Sequence, residues 1–88
     1  AERDDLEVLY QTVRMIRESK DINTSIAPIF KKLKEEHPND WLLSVEIVEL
    51  LKDRNEPQLL KEVMNYLESL KQRRSEVAHL ITGGLNLI

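Results

Sequence analysis

Apolar residues recur at every third or fourth position through most of the chain, and no stretch alternates apolar and polar residues as a half-buried strand does. This spacing places the apolar side chains on one face of an α-helix. The 88 residues include only two glycines and three prolines, which leaves few sites for tight β-turns. The sequence therefore predicts an all-α fold. The first helix, over residues 4–19, has an apolar stripe of Leu6, Leu9, Tyr10, Val13 and Ile16.

The second helix is bounded by short polar side chains and by prolines. Thr24 or Ser25 is its predicted N-cap, because a hydroxyl can accept a hydrogen bond from a free amide of the first turn. Pro28 then falls in that turn, where it removes no intrahelical hydrogen bond. Because Pro38 disfavours the α conformation of the preceding residue, the helix is expected to end at His37.

The third helix is predicted to begin at Asn39 or Asp40 and to run to about Asp53. Eight of the eleven residues 41–51 are apolar, so little of the circumference of this helix can face water. This pattern indicates a central helix with neighbours on at least two sides. The residues expected to be mostly buried are Trp41, Val45, Ile47, Val48 and Leu51.

Two further helices complete the chain. Asn55 is the predicted N-cap of the fourth, with Pro57 in its first turn. The fifth is predicted to begin at Ser75 and to stop at Gly83, with that glycine in the left-handed conformation of a helix C-terminus. The apolar stripe of the fourth helix consists of Leu60, Val63, Leu67 and Leu70.

The last residues are apolar and uncharged, and an isolated bundle rarely leaves such a segment in water. Leu80 and Ile81 are expected to fold back over the groove between the first and fourth helices. Leu87 and Ile88 are expected to contact another chain or domain.

These elements predict one domain over residues 1–88, a compact bundle of about five helices. Stacked helical hairpins are the open alternative, since successive helices start near residues 25, 40 and 56. A first residue of alanine rather than methionine indicates a fragment of a larger chain.

Composition favours some classes of protein over others. The net charge of −3 argues against nucleic acid as the main partner, because binding to phosphates needs an excess of Lys and Arg. The absence of cysteine excludes disulfides, thiolate nucleophiles and cysteine-ligated metals, and it fits a cytoplasmic protein. The sequence lacks an apolar run long enough to span a membrane.

The residues that could carry chemistry have simpler structural interpretations. Glu36 and Asp40 have the spacing of helical metal ligands, but a proline lies between them. His79 lies in an apolar helix and is expected to be half-buried. Ser44 is expected to bond the carbonyl of residue 40. Trp41 is expected to close one end of the bundle rather than to form a binding hot spot. We therefore predict no catalytic, cofactor or metal site and no enzyme activity in this chain.

Basic residues near two helix ends, together with the apolar tail, form the predicted interaction surface. The alternative to a protein-interaction role is a small regulator that binds nucleic acid or a protein through a basic face, to which Lys71 would also contribute. The residues of the predicted surface are Arg14, Arg17, Arg73, Arg74, Leu85, Leu87 and Ile88.

Residues 9–18 (LYQTVRMIRE), 37–43 (HPNDWLL) and 76–85 (EVAHLITGGL) carry a resemblance to a known family. They resemble the helical C-terminal extension of some long bacterial aromatic amino acid hydroxylases, the phenylalanine 4-monooxygenase group. The resemblance implies a parent oxidoreductase that uses iron and a pterin. The two histidines and the carboxylate that hold the iron of that family have no counterpart here. The expected role is therefore a non-catalytic accessory or protein-interaction domain. Its expected partner is the rest of its own parent chain or a further copy of itself.

Overall fold

The structure, a computed structural model, describes residues 2–21 and 23–86, with side chains from residue 6 onward, and contains five helices and no strand within those ranges. The radius of gyration of 12.4 Å matches the roughly 12 Å expected of a compact chain of this length. The predicted all-α bundle is confirmed. The helices are α1 (Glu2–Ser19), α2 (Ala27–Glu36), α3 (Trp41–Lys52), α4 (Pro57–Arg73) and α5 (Ser75–Asn86).

The central position predicted for α3 is confirmed. It packs on α1, α4 and α5, whereas α1 packs mainly on α2 and α3. Ile47 and Val48 are fully buried, as expected for a helix covered on several sides. Trp41 is only partly buried and packs against the core at the start of the helix. The buried residues of α3 are Leu43, Ser44, Val45, Ile47, Val48, Leu50 and Leu51.

The end of α1 forms a left-handed turn on a residue that is not glycine. Lys20 has φ 55°, the only positive φ of a non-glycine residue in the described chain. The Lys20 amide donates to the carbonyl of Arg17 at 3.3 Å, and the Asp21 amide donates to that of Ile16 at 3.1 Å. These two hydrogen bonds are those of a Schellman motif, which satisfies the last free carbonyls of a helix.

The predicted caps hold for one helix and fail for two. Asp40 caps α3, its carboxylate accepting the Leu43 amide at 3.0 Å. The Thr24 or Ser25 cap of α2 is wrong, because the N-cap is the buried Ile26, without a side-chain hydrogen bond. The Thr24 hydroxyl instead donates to the Asp21 carboxylate.

The Asn55 cap of α4 is also wrong. Glu56 occupies the N-cap position without a side-chain cap, and Pro57 begins the helix as predicted. The physical reason lies in Arg54, whose buried guanidinium donates to the carbonyls of Asp21 and Thr24 and pairs with Glu56 at 3.6 Å. Long-range contacts of this arginine, rather than local capping, determine the geometry of the α3–α4 turn.

The predicted stop of α5 at Gly83 is wrong, because the helix continues to Asn86 and no described glycine has a positive φ. A β-carbon built on Gly84 would lie 3.4 Å from Cγ1 of Val45 and 3.9 Å from Cζ3 of Trp41. These are ordinary van der Waals distances, so Gly84 lies on the side of α5 that faces α3. A β-carbon built on Gly83 would meet no atom within 4 Å.

The predicted fold-back is confirmed for Ile81 but not for Leu80. It also takes place at a different position in the bundle from the one predicted. Ile81 is fully buried, whereas Leu80 keeps 45% of its surface exposed, so the expectation for Leu80 is wrong. The helix that carries them packs on α3 and α4, not over a groove between α1 and α4. Leu87 and Ile88 lie outside the described residues. None of the described helices has both the length and the apolar character needed to cross a membrane.

Candidate functional site

The loop of residues 37–40, between α2 and α3, is held by side chains from two other parts of the bundle. The Tyr66 hydroxyl donates to the Pro38 carbonyl at 2.6 Å, and Nη1 of Arg74 donates to the Asn39 carbonyl at 3.3 Å. From α1, the Tyr10 hydroxyl donates to Oδ1 of Asp40 at 2.9 Å. These hydrogen bonds fix the first turn of α3 relative to α1 and α4.

Both tyrosines at this loop are held in their neutral form. Burial raises the pKa of Tyr10 far above its ordinary value, and the Asp40 carboxylate, which accepts a hydrogen bond from its hydroxyl and carries negative charge, raises it further. Burial likewise raises the pKa of Tyr66, while the positive charge of Arg73 opposes that effect. The Tyr66 ring also meets Phe30 edge to face, with ring centroids 5.5 Å apart, which ties the loop to the core.

After the loop, a group of residues lies where α3 and α5 meet, which we call the α3–α5 edge: Trp41, Leu42, Val45, Leu80 and Gly84. Gly84 lies against Trp41 and Val45, and Leu80 lies one turn earlier on the same side of α5. Leu42 lies three residues before Val45 and borders it on α3. The exposed fractions are 48% for Leu42 and 45% for Leu80, high for large apolar side chains.

A groove lies between α3, α4 and α5. Its floor contains the buried Val48 with the partly exposed Met64 and Leu85, and its rim carries Lys52 and Lys71. The Lys71 ammonium pairs with the Glu68 carboxylate at 3.2 Å. Leu85, a residue of the predicted surface, is therefore partly covered by the bundle itself.

The predicted basic residues are spread over different parts of the bundle. Arg17 pairs with Glu49 of α3 at 3.3 Å, and Arg74 pairs with Glu76 at 2.9 Å. Arg14 lies exposed on α1, and Arg73 lies exposed at the end of α4 beside Tyr66. Arg17 and Arg74 thus contact carboxylates on different helices, α3 and α5.

The opposite end of the bundle is closed by polar contacts. Asp21 accepts hydrogen bonds from the amides of Asn23 and Thr24 and from the Thr24 hydroxyl, which hold the pKa of its carboxyl below the usual value. An open cleft of about 550 Å³ lies at this end of the bundle, between the last turns of α1 and α3. Its lining carries both signs of charge: Arg17, Lys20, Asp21, Glu49, Asp53 and Arg54, with Ile16 and Leu50.

The residues considered for chemistry do not converge among the described side chains. The Ser44 hydroxyl donates to the Asp40 carbonyl at 3.5 Å, as predicted. His79 is exposed, so the half-buried position predicted for it is wrong. Nε2 of the partly buried His37 has no hydrogen-bond partner within the described chain. The described part of the chain also contains no group of three His, Asp or Glu side chains with metal-binding geometry.

Sequence reasoning did not identify the α3–α5 edge. Leu80 and Ile81 were expected to fold back together because they share the short helix, although adjacent helical residues lie about 100° apart around the axis. The available signal was Gly84, the one glycine of α5 that lies against α3. Compared with protein-family models, with curated proteins and with solved structures, the chain gives no match to any of them.

Proposed function

We propose that this chain is a non-catalytic helical accessory domain, and that it binds another protein segment through the α3–α5 edge. The observation that carries the proposal is the exposure of Leu42, next to the partly buried Trp41 in the chain, and of Leu80, one turn before the Gly84 that lies against Trp41. Large apolar side chains grouped around an aromatic residue are typical of protein-interaction surfaces.

The rigidity of the adjacent loop supports the same role. Tyr10, Tyr66 and Arg74 hold residues 38–40 through three hydrogen bonds, so the backbone next to Trp41 is ordered before any partner arrives. A surface that is ordered in advance loses little conformational entropy on binding. This favours a defined docking surface over an adaptable one.

The proposed partner is the rest of a longer parent chain, for which the resemblance to the phenylalanine 4-monooxygenase group supplies a candidate. In that case iron and pterin would be bound by the parent, and this domain would act beside them in the cytoplasm. We do not extend the proposal to nucleic acid, because Arg17, Lys71 and Arg74 already contact carboxylates.

The only tryptophan of the chain makes the proposal directly testable. The ¹⁵N-labelled chain is titrated with the separately produced catalytic domain of a long-form bacterial phenylalanine 4-monooxygenase. The indole signal of Trp41 is expected to shift, and the double variant Leu42→Glu/Leu80→Glu is expected to abolish the shift. Glu62→Arg, a charge change on the exposed face of α4, serves as the control and should leave it intact.

Two outcomes contradict different parts of the proposal. If no signal of the chain moves, the hydroxylase is not the parent. If signals move on other helices while Trp41 stays unchanged, the α3–α5 edge is not the docking surface.

A further inference from the structure

The outward face of α1 carries a second group of exposed residues, separate from the α3–α5 edge. We call it the α1 patch: Glu7, Val8, Gln11, Arg14 and Met15. Val8 is 56% exposed and Met15 is 68% exposed, the two highest values among the large apolar side chains of the described chain. Gln11, Glu7 and Arg14 are exposed as well. None of the five contributes to the core, which α1 reaches through Leu9, Val13 and Ile16.

The helical periodicity arranges this patch in two parallel rows with one residue between them. Successive residues are about 100° apart around the axis, so Val8 and Met15, seven positions apart, lie in one row along the helix. Glu7 and Arg14 form a second row, about 100° further round. Gln11 lies between the two rows and about midway along them.

The arrangement matches itself when a second helix is placed against it in the antiparallel direction. In a two-fold interface, residue i contacts residue j and residue j contacts residue i. When the two-fold axis passes near Gln11, each row of one copy faces the same row of the other copy, with its residues in reversed order. Val8 then faces Met15 of the other copy, and Glu7 faces Arg14 of the other copy. The two Gln11 amides meet at the axis, where each can donate to and accept from the other.

We propose that the α1 patch binds the α1 patch of a second copy of this chain, with the two helices antiparallel. The parallel arrangement would oppose the apolar row of one copy to the charged row of the other, so the pattern selects one orientation. Glu7 and Arg14 are available for it, because within the described residues neither is in an ion pair. They are two helical turns, about 10 Å, apart and so cannot pair with each other in one copy.

This inference is independent of what covers the α3–α5 edge, since the two surfaces lie on different helices and share no residue. Each surface can therefore be disrupted alone. An accessory domain that also pairs with itself would bring two parent chains together.

Sedimentation equilibrium of the chain at low salt, from micromolar to millimolar concentration, tests the proposal. The unaltered chain is expected to form a reversible dimer. Arg14→Glu and Glu7→Arg should each weaken dimerisation about tenfold or more, because two-fold symmetry turns each substitution into two like-charge pairs. The double variant Glu7→Arg/Arg14→Glu restores opposite charges and should recover most of the affinity.

Lys61→Glu, on the exposed face of α4, is the matched control. It changes the net charge as Arg14→Glu does and should leave dimerisation unchanged. Circular dichroism should show native helix content in every variant, since all these positions are exposed. A monomer at every concentration overturns the proposal, as does a dimer that survives both single charge reversals. Dimerisation lost only in Leu42→Glu/Leu80→Glu would also overturn it, by assigning self-association to the α3–α5 edge.

Discussion

Lys20 adopts a backbone conformation that its side chain disfavours. Its φ of 55° lies in the left-handed region, where the β-carbon of an L-residue crowds the following carbonyl. The Schellman hydrogen bonds at the end of α1 nevertheless require this conformation at this position. The chain therefore stores a small amount of strain at a solvent-exposed residue that takes no part in the core.

Replacing Lys20 with glycine should relieve that strain. We expect the free energy of unfolding to rise by about 0.5–1 kcal/mol, the steric gain being partly offset by the greater flexibility of glycine in the unfolded chain. Urea unfolding followed by circular dichroism measures the change. Lys20→Ala removes the same charge but keeps the β-carbon, and it should have little effect; equal effects of the two variants would contradict the explanation.

The two glycines of α5 should respond differently to alanine. Gly83→Ala is expected to stabilise the protein by about 0.5–1 kcal/mol, because a β-carbon there meets no atom within 4 Å and alanine favours the helix. Gly84→Ala should gain more, since its β-carbon would also make van der Waals contact with Val45 at 3.4 Å. Thermal unfolding distinguishes them. Destabilisation by Gly83→Ala would mean that α5 ends at this residue after all.

Tyr10 should make the stability of the protein depend on pH in alkali. Its pKa is raised in the folded state, so above about pH 10 the unfolded chain loses this proton first, and stability falls as the pH rises. Tyr10→Phe cannot ionise. The difference in unfolding free energy between the two proteins should therefore be largest at neutral pH and shrink in alkali; a constant difference would show that Tyr10 titrates normally.

At the scale of elements, the sequence predicts α3 well because most of its residues are apolar and it is buried on several sides. The first residues of α2 and α4 were not predictable, since buried Ile26 and the reach of Arg54 to the 21–24 segment depend on tertiary contacts. The same limit applies to the candidate site. Periodicity identifies Ile81 as an inward-facing residue of α5, but the 45% exposure of Leu80 depends on how α5 packs on its neighbours.

Because α3 lies at the centre of the bundle, shortening one of its buried side chains should lower the free energy of unfolding. Ile47→Ala should destabilise the protein by about 2–4 kcal/mol, because a fully buried side chain leaves a cavity that its neighbours cannot fill. Chemical denaturation measures the loss. Leu42→Ala, on the same helix but half exposed, should cost clearly less; similar losses would contradict the packing described for α3.

At the scale of the whole molecule, polar contacts at both ends hold the helices in place. The 37–40 loop joins α1 and α4 to the start of α3, and Arg54 joins the segment after α1 to the α3–α4 turn. These contacts link residues about thirty positions apart along the chain, as with Tyr10 and Asp40. All five helices contribute apolar residues to the core, and these polar contacts fix the orientation of the helices around it.

The peripheral position of α1, which packs mainly on α2 and α3, has a consequence for how the molecule opens. Elements with fewer neighbours detach at lower free energy than the core, so the amides of α1 should exchange with deuterium through partial opening. A second copy that binds only the folded helix would oppose this opening by mass action. Exchange in α1 should then slow as protein concentration rises, while exchange in α3 should depend less on it.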